Sequence, residues 1–145
     1  MMIDVVLVYP YFMSKDDKST FRFPPLGLGY IASYLRGNGV NVIIIDGTFQ
    51  SENQIIQEIS HINPAVIGIQ CILGTEKSAL RLAESLKRVN NLLIAGGPQA
   101  SIEPSMFLDK FDLVVIGEGE QTTLEIVENY CDGKDYRNID GIAFR

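Results

Sequence analysis

Glycines gather where apolar runs end in this sequence, at Gly96-Gly97-Pro98-Gln99 and Gly117-Glu118-Gly119-Glu120, with Gly74 before Thr75 at a further such end. Glycine lets backbone approach a large flat ligand without a Cβ collision and leaves N–H groups free to donate to its amides or phosphate. Taken singly, each of these glycines also reads as an ordinary tight turn; several on one edge of a sheet favour a ligand. No Gly-x-x-x-x-Gly-Lys-Ser/Thr occurs, and Gly27-Leu28-Gly29 lacks the third glycine of a dinucleotide fingerprint, so nucleotide binding has little support. Glu118 and Glu120 could serve as a general acid and base. At a helix start they are explained more simply as negative charges that favour the helix dipole.

Metal and nucleophile chemistry lack the residues. His61 is the only histidine, and Cys71 and Cys131 are the only cysteines. The histidine falls at the end of a predicted helix before Asn63-Pro64, where an imidazolium suits the dipole. Cys71 lies in an apolar run, where a free cysteine is usually a small buried hydrophobe. No triad and no metal cluster is expected from this set. A response regulator would need acids around the first strand and a lysine after the fifth, but Asp4 precedes its strand and no lysine follows Ile116 until Lys134. A formal charge of -6 and a pI of about 4.7 oppose the basic footprint of nucleic-acid binding. The first apolar run follows no basic segment and is cut by Pro10, and no run approaches a membrane span, so a soluble protein in a reducing cytoplasm is expected.

The elements that must position these loops follow from periodicity. Ile3 to Tyr9 is a Val-rich run of the kind buried on both faces of a parallel sheet. The segment from Tyr11 to Pro25 is long for a strand-to-helix connection, which marks it as functional. A helix is predicted from Leu26 to Arg36, stopped by Gly37-Asn38-Gly39, then a strand from Val40 to Ile45 and a weaker helix from Glu52 to Ile62. A third strand is read from Ala65 to Leu73, followed by a helix capped by Gly74 or Thr75 whose apolar face includes Leu82 and Leu86. Leu92 to Ala95 and Leu113 to Ile116 are the fourth and fifth strands, and a last helix spans Gln121 to Tyr130. Strands alternating with helices predict an α/β, doubly wound, five-stranded parallel sheet, flavodoxin-like, in the order 2-1-3-4-5. Its ligands bind beyond the carboxyl ends of the strands, where the glycine loops fall. Residues 1–140 form one domain, and 141–145 read as the start of a connection to a catalytic domain beyond them.

Phe23-Pro24-Pro25-Leu26-Gly27-Leu28-Gly29-Tyr30-Ile31-Ala32, Gly96-Gly97-Pro98 and Gly117-Glu118-Gly119-Glu120, in this order and spacing, resemble the cobalamin-binding domain of radical SAM enzymes. The resemblance covers nearly the whole chain. It implies a cobalamin lying across the carboxyl edge, with its nucleotide tail beside the first strand and under the glycine loops. The residues it points to are Tyr9, Pro10, Tyr11, Pro25, Leu26, Gly27, Gly74, Gly96, Gly97, Pro98, Gln99, Gly117, Glu118, Gly119 and Glu120, with Gln70-Cys71-Ile72 standing where the wider fold often has Ser-x-Leu. The wider fold's Asp-x-His-x-x-Gly is absent, which implies a base-off corrinoid with no histidine on cobalt. The family's Cys-x-x-x-Cys-x-x-Cys is absent too, so the iron–sulfur cluster and S-adenosylmethionine would belong to a radical SAM domain of the same natural chain, where methyl transfer or another radical reaction takes place. This chain would supply the corrinoid and no catalytic residue.

Two other readings compete: a degenerate domain of the same fold that binds no corrinoid and serves as a docking module, and a small-ligand domain using flavin or nucleotide. At a strand-end loop, a branched side chain at Gly97, and likewise at Gly96, is expected to fill ligand volume and leave core packing mostly intact.

Overall fold

The computed structural model describes residues 2–12, 23–87 and 90–145. Its strands are β1 (Val5–Tyr9), β2 (Val42–Asp46), β3 (Val66–Gln70), β4 (Leu92–Gly96), β5 (Leu113–Val115) and β6 (Ile142–Ala143). The helices are α1 (Leu26–Gly37), α2 (Glu52–Ile62), α3 (Glu76–Leu86), the short α4 (Pro98–Ile102) and α5 (Glu120–Cys131). They form one sheet in the order β2-β1-β3-β4-β5-β6, in which the first five strands are parallel. The doubly wound, flavodoxin-like α/β order 2-1-3-4-5 is therefore present. To it the chain adds an edge strand: Val114 and Val115 pair antiparallel with Ala143 and Ile142, so part of the segment expected to begin a connection lies in the sheet.

Alternation along each strand sorts the core into two layers. Val6, Val8, Ile67 and Ile69 face one side, where they are covered by Ile55 and Ile59 of α2 and by Ala79, Leu82 and Leu86 of α3. Val5, Leu7, Tyr9, Val66 and Ile94 face the other, beneath Leu28, Ala32 and Leu35 of α1 and Leu124 and Val127 of α5. Among the described residues, three helices cover the first face and two the second.

Local chemistry sets the helix ends. α1 opens at Leu26 with Pro25 in the N-cap position and no side-chain cap. At its far end the Arg36 guanidinium donates to the Val42 carbonyl at 2.8 Å and ties the helix to β2. α2 begins with a reciprocal Ser51–Gln54 capping box and ends at Asn63 in the left-handed conformation, whose N–H bonds to the Ile59 carbonyl. β3 stops at Gln70 rather than Leu73. The Thr75 hydroxyl donates to the Ile72 carbonyl and accepts from the Ile72 N–H, which folds residues 72–75 into a turn instead of a strand. Most of the Tyr11 to Pro25 connection lies outside the described residues.

Leu82 is fully buried between α3 and the sheet. Leu82→Ala is expected to lower unfolding free energy by about 2–5 kcal/mol through lost burial and a residual cavity, read from chemical denaturation followed by circular dichroism.

Candidate functional site

Between α1 and α5, on the face with two helices, a cavity of about 810 Å³ opens at the carboxyl edge of the sheet. Its floor is Leu7 of β1, Val66, Gly68 and Gln70 of β3, Ile94 and Gly96 of β4, and Val115 of β5. Gly27, Leu28, Tyr30 and Ile31 of α1 form one wall and Thr123 of α5 the other. Gly97-Pro98, Ser101, Ile102 and the turn from Gly117 to Glu120 frame the mouth. The volume lies in the range of cofactor pockets, and so does the lining, mainly apolar with a few polar groups.

Register explains the shape. In the parallel pairing Gln70 lies opposite Gly96, and Gly68 opposite Ile94. A Cβ at Gly96 would meet only Val115 Cβ, 4.0 Å away, and one at Gly27 would stand 3.5 Å from Gln70 Nε2. Gly96 therefore leaves the floor open, and Gly27 stands beside the Gln70 amide nitrogen. The Gln70 carbonyl oxygen is buried and has no hydrogen-bond partner among the described residues. An amide oxygen kept from water without a partner costs about 1–3 kcal/mol.

Gly97 has a different reason to be glycine. Its φ is +106°, and a Cβ there would lie 2.8 Å from the Cys71 carbonyl oxygen and 3.2 Å from the Cys71 nitrogen. The turn after β4 lies flat on the end of β3, held by the Gln99 N–H donating to the Cys71 carbonyl at 3.0 Å. The expectation that a side chain at Gly97 would fill ligand space and spare the fold is corrected: it would strike backbone first. Gly96 is the position that opens into the cavity. Across the mouth, the Gly117 N–H donates to Ser101 Oγ at 2.9 Å and joins the two glycine loops.

The structure divides the residues picked from sequence. Gly27, Gln70, Gly96, Gly97, Pro98, Gly117, Glu118, Gly119 and Glu120 line the cavity. Cys71 does not, because it is buried in the opposite layer, against α3 and α4. Burial pushes its thiol up to about 12. Ile72 packs at the fringe of the α1 and α5 layer, and Gly74 directs its N–H to Glu76 Oε2 at 2.8 Å. Gln99 is part of α4, on the far side of the Gly97 turn. Tyr9, Pro10 and Tyr11 continue from β1 beside the cavity without lining it. The Tyr9 and Tyr11 rings stack with centroids 5.9 Å apart, and the Tyr9 hydroxyl is raised above its ordinary value by burial and then by the Asp46 charge. Pro25 and the exposed Leu26 precede the wall at the start of α1. Glu120 stands in the first turn of α5, as the helix-dipole reading expects. His61 is exposed in the last turn of α2, at the amino-terminal edge and far from the mouth.

Gly68 escaped the sequence reading although it carried a signal, since a lone glycine within an apolar strand marks a bulge or a close approach. A Cβ there would press Leu7 Cδ2 at 2.8 Å, so the bare backbone makes room for Leu7 on the cavity floor. Ser101 and Thr123 carried no such signal; only the fold brings them to the cavity. Among the described residues no helix is long and apolar enough to cross a membrane.

The sequence profile of the B12 binding domain matches residues 17–127, and the chain belongs to that family. It is 28% identical over 151 aligned residues to an anaerobic magnesium-protoporphyrin IX monomethyl ester cyclase of Rubrivivax gelatinosus, covering 97% of this chain and 27% of the cyclase. It is also 28% identical to the cobalamin-dependent radical SAM methyltransferase TokK of Streptomyces tokunonensis, over 93% of this chain and 21% of TokK. The radical S-adenosylmethionine methyltransferase TsrM of Kitasatospora setae, solved with cobalamin and a [4Fe-4S] cluster, superposes with a TM-score of 0.83 at 20% identity, over 98% of this chain and 29% of TsrM. The chain thus spans between a fifth and a third of the length of these relatives.

Gly97→Ala is expected to cost about 1–3 kcal/mol from strain at its positive φ and the Cys71 contact, whereas Gly96→Ala should stay within about 1 kcal/mol of wild type; denaturant melts of the two variants compare them directly. The two thiols should separate as well. An aromatic disulfide reagent at pH 8 should modify the exposed Cys131 in the native chain and reach Cys71 only after denaturation. Because the Cys71 pKa is raised in the folded state, the unfolded chain loses that proton first as pH rises. This contribution to stability is therefore intact below about pH 9 and declines from there to about 12.

Proposed function

We propose that this chain is the corrinoid-holding domain of a radical SAM enzyme, with the nucleotide tail of cobalamin in the cavity between α1 and α5 and the loops of the carboxyl edge facing the corrin ring. The observation that carries the proposal is the open cavity itself, where Gly96 on the floor and Gly27 beside the Gln70 amide leave the lining without bulky side chains. In a docking module that binds no corrinoid, side chains would be expected to fill this space. Gly97, Pro98 and the Gly117–Glu120 turn present backbone at the mouth, suited to approach by the amides of a corrinoid.

When bound, cobalamin supplies a cobalt centre able to carry and transfer a methyl group. The chain's own residues contribute enclosure and orientation: the apolar floor excludes water from the tail, and Gln70 offers it a polar contact. The iron–sulfur cluster and S-adenosylmethionine are assigned to the radical SAM domain of the full-length enzyme. The relatives include a methyltransferase and a cyclase by name, so the reaction class proposed is radical methylation or ring formation. Since His61 is the only histidine and sits at the opposite edge, the corrinoid is held with no histidine of this chain on cobalt.

Incubation with hydroxocobalamin followed by gel filtration should leave the corrinoid absorbance with the protein; elution of all the colour with the small molecules would refute the proposal. Gly96→Val should reduce retention about tenfold, equivalent to about 1.4 kcal/mol, with an unchanged far-ultraviolet circular dichroism spectrum. His61→Ala should retain cobalamin like wild type. Electron paramagnetic resonance of its Co(II) form should match the wild-type spectrum, and loss of nitrogen superhyperfine splitting in the variant would place His61 on the cobalt after all.

A further inference from the structure

We infer that two copies of this chain pair through the outer face of α1, antiparallel about a two-fold axis, with Tyr34 of each copy packed on Gly29 of the other. Such pairing is independent of the corrinoid. Leu26, Tyr30 and Tyr34 recur at every fourth position on the side of α1 turned away from the sheet, and they are 67%, 68% and 40% exposed. Beside them runs a second row at the same spacing, Gly29, Ser33 and Gly37. A Cβ at either of these glycines would meet nothing within 4 Å. The chain's own packing therefore gives no reason for glycine, the poorest helix former after proline, to stand at Gly29 within the helix. Space kept free on an outer face serves something that approaches from outside.

Two features select a second copy as that occupant. The rows are self-complementary: an antiparallel pair that sets Leu26 against Gly37 also sets Tyr30 against Ser33 and Tyr34 against Gly29. Each large side chain then falls on a small one, and every contact is made twice, as a two-fold interface requires. The face is also uncharged. Its six positions hold no acidic or basic side chain, and Arg36, the one charge of the helix, donates to the Val42 carbonyl of β2. A chain of formal charge -6 repels its own copy, and α3 and α5 turn Lys77, Glu84 and Glu128 to solvent. Pairing through α1 brings no like charges face to face. Tyrosine, apolar with a polar tip, suits a surface that is wet in the monomer and covered in the dimer. The 12 residues of α1 span about 18 Å, which holds the buried area to on the order of 1,000 Å² and makes the dimer reversible.

Sedimentation velocity of the 145-residue chain tests the pairing, under reducing conditions that keep the exposed Cys131 from linking copies. Dimer should predominate at about 100 µM and dissociate on dilution. Tyr34→Glu and Gly29→Lys, neither of which lines the cavity, should each weaken association at least about tenfold, with helix content unchanged by circular dichroism. Gly29→Lys raises helix propensity, and Ser33→Glu replaces Tyr34→Glu if that variant fails to fold. In the double variant Tyr34→Glu/Gly29→Lys, opposite charges face each other in both halves of the interface, and dimer should return. A wild-type chain monomeric at about 100 µM, a dimer that survives the single variants, or a folded double variant that stays monomeric would each overturn the inference.

Discussion

Parallel pairing of β3 with β4 sets Gln70 beside Gly96, and the ladder continues one step further through the Cys71 N–H to the Gly96 carbonyl at 2.7 Å. That last bond holds the turn after β4 flat against the end of β3, where Gly97 has no space for a side chain. From this one register follow the open floor at Gly96, the exposure of the Gln70 amide to the cavity and the burial of Cys71 on the other side. A slip by one residue would exchange the faces, putting a thiol in the cavity and an amide in the core.

The unequal covering of the sheet then makes the space usable. α2, α3 and α4 pack over one face, while α1 and α5 alone serve the other and part over the carboxyl halves of β3 and β4. Close packing would ordinarily close such a gap. Here glycine stands at Gly27 and Gly96, and among the described residues no side chain fills the gap. A domain of this size forms its core with the remaining strands and helices and can leave one seam open.

The same geometry divides labour between positions that look alike in sequence. Gly96 and Gly97 are adjacent, but one keeps volume free and the other permits a backbone approach. Glu118 and Glu120 share a motif, yet Glu118 is exposed at the rim and Glu120 stands in the first turn of α5. Ser101 lies outside every motif and still links the two mouth loops through the Gly117 N–H.

Much of the fold was written in local pattern. Apolar runs ending at Pro10, at Asp46-Gly47 or at Gly74, Gly96 and Gly117 define parallel strands, helical spacing defines the layers above them, and the glycine loops fall on the carboxyl edge because strand-to-helix turns in such a sheet must lie there. The histidine's distance from that edge followed from the same alternation of elements. Which face each residue of a buried strand meets could not be read, because a strand apolar on both sides lacks the polar alternation that would reveal it. For that reason Cys71 and Gln70 looked equally placed to bind, and only the pairing of β3 with its neighbours separated them. The antiparallel addition of Ile142 and Ala143 to β5 was likewise decided in three dimensions, since a two-residue strand carries too little pattern and depends on the unpaired edge it finds.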